Sequence, residues 1–159
     1  MNYFELFGLP VSINIDATLL TKKYVELQKQ FHPDFFTQEN EAAQEEALEK
    51  SSEINKALKV LKNQDATIFY LLQLKGLAAA EEKYQLPPDF LMEVMELNEG
   101  LSDESAAAIA VFEKDIYAEV SAVIEQYNDA TVTREELLKL KEYYYKKKYL
   151  HRILDRMDG

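Results

Sequence analysis

From Asp16 onward the apolar residues Leu20, Tyr24, Leu27 and Phe31 recur at steps of four, three and four. That spacing returns to one side of a helix of about 3.6 residues per turn. Asp16 carries the acceptor side chain that suits an N-cap. The run ends near Phe31, because the residue that precedes Pro33 is driven out of helical backbone. A second helix opens at Asn40, with the stripe Ala47, Ser51, Ile54, Leu58 and Leu61. Its acids (Glu41, Glu45, Glu46, Glu49) come early and its bases (Lys56, Lys59, Lys62) late, as the helix dipole favours. Two such helices joined by about eight residues predict an antiparallel hairpin.

The stretch "DATIFYLLQLKG" (65–76) predicts a short helix capped by Asp65 and stopped by Gly76. A linker follows, ending at Pro87–Pro88, where the second proline suits the first turn of a new helix. The next helix stops at Gly100. Another runs from about Ser102 to Tyr127, with Ile109, Phe112, Ile116, Val120, Val123 and Tyr127 on one face. The last starts at Thr133, which forms a capping box with Glu136, and continues through Leu137, Leu140, Tyr144, Leu150 and Leu154. No Asn-Gly or Asp-Gly turn separates alternating strands. The expected fold is all-α: a unit over 1–75, a linker over 76–87, and a three-helix unit over 88–159.

Composition narrows the chemistry. The chain has 159 residues, no cysteine and two histidines, His32 and His151. Disulfides and thiolate-held metal are therefore excluded, and neither histidine belongs to a ligand-spaced pair, so no metal site is expected. A net charge of −11 argues against nucleic acid as partner. No apolar run approaches a membrane span, and "MNYFELFGLP" lacks the form of a secretion signal, so a cytoplasmic protein is expected. The Phe4–Leu6–Phe7 cluster is ready to enter a core. Charge also divides the second half: eleven acids against one base between Asp89 and Asp129, then eight bases against four acids between Arg134 and Arg156.

Two stretches resist a purely structural reading. In "FLMEVMELNE" (90–99), Phe90, Val94 and Leu97 share a stripe that can anchor the helix. Leu91, Met92 and Met95 fall on a neighbouring sector beside Glu96 and Glu99. An apolar sector rimmed by acids suits a protein-binding patch, and methionine adapts to a partner's shape. The same pattern is equally compatible with a wide core-facing surface. Tyr149 and Leu150 cannot both point inward, so Tyr149 can extend the patch.

In "QKQFHPDFF" (28–36), His32 and Asp34 flank Pro33. A catalytic pair would need the two side chains to converge, whereas residues straddling a proline are expected to diverge. No nucleophile motif or phosphate loop accompanies them. A turn explains the proline but not the histidine, nor the bases Lys22, Lys23 and Lys29 on the helix leading into it. A rigid loop offering an imidazole and a carboxylate suits docking to another protein.

A helical hairpin with His-Pro-Asp at its tip, followed by a short helix, resembles the J-domain, the module that activates the ATPase of DnaK-class chaperones. More particularly, "YFELFGLP", "LQKQFHPDFF", "INKALKVLKN", "YLLQLKG" and "FLMEVMEL" resemble the HscB family of J-protein co-chaperones in iron–sulfur cluster assembly. The resemblance spans essentially the whole chain and is weakest from 100 to 140. It implies no catalytic chemistry and no cofactor of the chain's own. It implies that His32, Pro33 and Asp34 stimulate an HscA/DnaK-class chaperone, with Lys22, Lys23 and Lys29 steering the approach. It also implies an IscU-type scaffold bound through Leu91, Met92, Met95, Glu96, Glu99 and Tyr149. A general J-protein with another client is the rival reading, and a hydrolase using His32 and Asp34 the rival from another class. Phe35 stands where this family commonly has lysine. The absence of a cysteine-rich extension before Met1 points to a bacterial-type member.

Overall fold

The structure, a computed structural model, describes residues 1–98 and 103–158. Among these, helix is the only regular secondary structure. The chain forms two compact units, Met1–Tyr70 and Leu71–Gly159.

The first unit begins with α1 (Tyr3–Leu6), capped by Asn2, whose side chain accepts from the Glu5 amide. α2 (Ala17–Phe31) and α3 (Glu41–Leu61) are capped by Asp16 and Asn40 as the sequence predicts. They pack on each other and close over α1. The core gathers Phe4, Leu6, Phe7, Leu20, Ile54, Ala57 and Leu61. Fully burying a leucine, isoleucine or phenylalanine there is worth about 1.5–3 kcal/mol. Ala57 takes the central place on α3 that the pattern assigns to Leu58, which is only partly buried. Alanine at that point lets the partner helix approach closely, which a larger side chain would prevent. Leu58 lies at the edge of the same face.

Polar groups set the register of the hairpin. Asn55 Oδ1 accepts from the Tyr24 hydroxyl at 2.8 Å and from Gln28 Nε2 at 3.1 Å. Ser51 donates to Gln28 Oε1 at 3.1 Å. Both ends of the Gln28 amide are thus held by α3, one turn before α2 ends.

α4 (Gln64–Leu74) spans the boundary between the units. Its cap is Asn63, whose side chain accepts from the Ala66 amide, and not the expected Asp65, which lies in the first turn. An Asn two residues earlier serves the same kind of orphan amides, so the sequence pattern does not separate the two. Gly76, at φ +74°, ends the helix as expected. The Leu77 amide donates to the Leu72 carbonyl and the Gly76 amide to the Gln73 carbonyl, the paired closure that a left-handed glycine permits.

The second unit holds α5 (Pro88–Asn98), α6 (Asp103–Glu125) and α7 (Arg134–Asp158). Pro88 takes the first position of α5. The Thr133–Glu136 capping box forms reciprocally: the Glu136 amide donates to the Thr133 hydroxyl, and the Thr133 amide to the Glu136 carboxylate. The buried faces depart from the expected stripes. α6 buries Ile109, Ile116, Val120 and Ile124, leaving Phe112, Val123 and Tyr127 half-covered. α7 buries Tyr143 and Ile153 where Tyr144 and Leu154 were expected. On helices this long, i+3 and i+4 are both tolerated at each turn, and the position of the neighbours selects between them. No helix among the described residues is long and apolar enough to cross a membrane.

Candidate functional site

Two surfaces hold the residues singled out from sequence, one in each unit. The first is the turn after α2. His32 adopts extended backbone (φ −64°, ψ 133°), as a residue before proline must, yet its amide still donates to the Gln28 carbonyl at 2.9 Å and closes the helix. Pro33 then begins a single 3₁₀ turn, Pro33–Phe36, at the position where its missing N–H costs nothing. His32 caps that turn twice over. Its carbonyl accepts from the Phe35 amide at 3.0 Å, and its ring Nδ1 accepts from the Asp34 amide at 3.2 Å.

The expectation that His32 and Asp34 diverge is corrected here: Nδ1 and Oδ2 stand 3.6 Å apart. The 3₁₀ turn folds the carboxylate back toward the ring that caps it. The pair is still not an oriented base. In a catalytic dyad Nδ1–H donates to the carboxylate, whereas here the Nδ1 lone pair accepts a backbone N–H. The neutral ring then carries its proton on Nε2, a donor available to a partner. The Asp34 side chain is 84 % exposed and that of His32 45 %. Phe35, 64 % exposed, sets its ring edge-on to the imidazole at 6.3 Å. At the far side of the loop, Gln44 Nε2 donates to the Thr37 and Glu39 carbonyls, pinning the chain to the start of α3.

Lys22 and Lys29 are exposed on α2 two turns apart, hence on one face, and Lys23 is half-buried. None of the three forms an ion pair among the described residues. Glu26 is exposed between Lys22 and Lys29, so the face is less uniformly basic than the lysines alone suggest.

The second surface is on α5. Phe90 and Val94 are buried, anchoring the helix as the pattern predicts. The Phe90 ring is enclosed by Phe112 of α6 and Tyr149 of α7, each edge-on at 6.3 Å, and by the Lys146 ammonium 5.2 Å above its face. Met92 and Met95 are 65 % and 57 % exposed. Leu91 is half-buried beside them and Glu96 is exposed. Glu99 lies outside the described residues. Tyr149 is half-buried while its neighbour Leu150 is fully covered, so the tyrosine joins Phe90 at the edge of the patch. The part played by Lys146 is absent from the sequence reading. Only the lysine-rich run "KKK" (146–148) offers a signal for it.

The opposite charges of the second half meet between α6 and α7. Glu113 lies 3.0 Å from His151 Nε2 and 3.8 Å from Lys147 Nζ. Among the described residues no group of three or more His, Asp or Glu side chains could hold a metal ion.

The chain matches two family models: the DnaJ domain over residues 2–70, and the HSCB C-terminal oligomerisation domain over residues 86–158. A co-chaperone protein HscB homolog of Vibrio vulnificus (strain CMCP6) is 41% identical over 140 residues, which are 82% of each chain. The solved structure of chaperone HscB from Vibrio cholerae matches with a TM-score of 0.68 at 32% identity, covering 99% of this chain and 96% of that one. The crystal structure of human co-chaperone protein HscB matches with a TM-score of 0.79 at 28% identity, covering 99% and 81%.

Proposed function

The chain belongs to the HscB family of J-domain co-chaperones, and from that premise we propose that it couples two partners. Its His32–Pro33–Asp34 turn stimulates ATP hydrolysis by an HscA/DnaK-class chaperone. Its α5–α7 face holds an IscU-type scaffold protein and brings it to that chaperone, in support of iron–sulfur cluster assembly in the cytoplasm. The chain performs no catalysis itself in this reading, and the cluster's ligands lie on the scaffold.

The observation that carries the proposal is the presence, in one chain, of a rigidly built turn with exposed acid and imidazole and of an exposed methionine pair beside an acid. The turn supplies what docking requires: a fixed donor at Nε2, a solvent-facing carboxylate, and basic Lys22 and Lys29 on the approaching helix. Met92 and Met95 lie over a buried Phe90–Val94 anchor, so a partner can bury them without unpacking the helix.

A single-turnover ATPase assay with an HscA-type chaperone tests the first half. His32→Gln removes the imidazole cap and its Nε2–H from an exposed site, and is expected to reduce stimulation at least about tenfold while helicity is retained. Stimulation equal to that of the unaltered chain would overturn the role of the turn. ATP hydrolysis by the chain alone would favour a hydrolase instead.

A further inference from the structure

Residues 71–85 fall outside both family matches, yet they pack within the C-terminal unit. The stretch that follows α4 is fastened at two points. At its start, Lys75 Nζ meets Asp129 Oδ1 in the α6–α7 loop at 2.7 Å, and Asp129 also accepts from the Tyr127 hydroxyl at 2.8 Å. At its end, Glu82 meets Lys141 Nζ at 2.6 Å and accepts from the Tyr145 hydroxyl at 3.3 Å. Two residues on, the Tyr84 ring lies flat on the Tyr145 ring, with centroids 4.5 Å apart and planes 9° from parallel. The Lys141 ammonium stands 5.5 Å from the centre of the Tyr84 ring.

An exposed ion pair alone contributes little. Here the ion pair, the ring stack and the cation–ring contact share Lys141 and Tyr145, so loosening one loosens the others. Lys141, Tyr145 and Tyr149 follow each other at single helical turns on α7. One turn beyond the stacked Tyr145 is thus the tyrosine that borders the α5 patch. On the adjoining flank of the same stretch, Lys146 and Tyr149 grip Phe90 of α5. The segment of α7 from 141 to 149 is held from both sides.

We propose that Lys75–Tyr84 is a strap of the C-terminal unit that clamps α7 and thereby positions the Tyr149 edge of the scaffold-binding face. Glu82, Tyr84, Lys141 and Tyr145 are positioning residues, which need not touch the scaffold. The positioning role rests on the scaffold-binding reading above, while the strap itself does not.

The full-length chain is compared with Tyr84→Ala, Glu82→Lys, Lys141→Glu and the combined reversal Glu82→Lys/Lys141→Glu. Amide exchange is followed over 141–149, and an IscU-type scaffold is titrated into each variant. The three single variants are expected to speed exchange about tenfold and to weaken binding about three- to tenfold. The combined reversal re-forms the ion pair but not the cation–ring contact or the carboxylate acceptor for Tyr145. It is therefore expected to recover part of both losses, which a merely local packing defect would not do. Exchange unchanged in all variants overturns the strap. Faster exchange with unaltered scaffold affinity overturns the positioning role. If the unaltered chain binds no scaffold, the scaffold reading and the positioning role fall together, and exchange alone decides the strap.

Discussion

The His-Pro-Asp turn and the α5–α7 face are built on opposite principles. Every hydrogen bond that shapes the turn links residues close in sequence: His32 to Gln28, Asp34 to His32, Phe35 to His32. The face has no such autonomy. Phe90 is set by Phe112 and Tyr149, residues from two other helices, and Tyr149 adjoins a turn of α7 clasped by Glu82 and Tyr84. A locally encoded site can be read from a short motif and survives change elsewhere. A site assembled across helices depends on the packing of all of them.

The largest expected effect comes from striking the anchor of the assembled face. Phe90→Ala empties a buried ring position and should cost about 3–5 kcal/mol, read as a lowered unfolding midpoint for the C-terminal unit. Exchange protection in α2 and α3 should hardly change. Equal loss in both units would break the contrast drawn above.

Next in size is the exposed rim. Leu91→Ala with Met92→Ala should weaken scaffold binding about ten- to a hundredfold in calorimetry, with stability almost unaltered because Met92 is largely solvent-facing. The same double variant should stimulate the chaperone's basal ATPase like the unaltered chain. Unchanged scaffold affinity would return both residues to a packing role.

The smallest effect is that of acid on the clasps. Hydrogen bonding from Lys141 holds the Glu82 carboxyl below its ordinary range, and hydrogen bonding from Lys75 does the same for Asp129. A carboxylate depressed in the folded state adds stability above its unfolded pKa and loses it as pH falls through the folded value. The contribution is therefore complete near neutrality and disappears below about pH 4. Both groups are largely solvated, so the change is small. The unfolding midpoint of the unaltered chain should exceed that of Lys141→Met slightly at neutral pH and converge on it in acid. A gap that persists in acid would assign the clasp to the Lys141 ammonium over the Tyr84 ring, a contact that acid leaves in place. At the alkaline end, burial and the neighbouring Glu82 push the Tyr145 phenol up to about 12, so it should ionise late in a tyrosinate absorbance titration.

Much of the fold was legible because caps and stops are local. Asp16, Asn40, Thr133 with Glu136, and Gly76 act through side chains or backbone within a few residues, and each appears where the pattern puts it. Asn63 in place of Asp65 is a substitution between two chemically equivalent caps. The errors cluster where a long helix meets more than one neighbour. Tyr143 or Tyr144, Ile153 or Leu154, Ile124 or Val123 are each one residue apart, about 100° on the helix, and both members of each pair are apolar.

The candidate sites divide in the same way. Pro33 by itself dictates the extended backbone of His32 and the break in α2, so the tripeptide's presentation follows from sequence. The convergence of His32 and Asp34 does not, because it depends on the sense in which the 3₁₀ turn closes. On α5, helical periodicity alone separated the Phe90–Val94 anchor from the Met92–Met95 sector. It left open whether that sector is covered, since coverage is a property of neighbouring helices. Periodicity, capping and proline chemistry act within one or two turns, and the amino-acid order determined them. Lys146 over Phe90, the Asn55–Gln28 clasp, and the strap on Lys141 and Tyr145 join residues far apart in the chain. Their partners are chosen by distance in three dimensions, which only the tertiary structure decided.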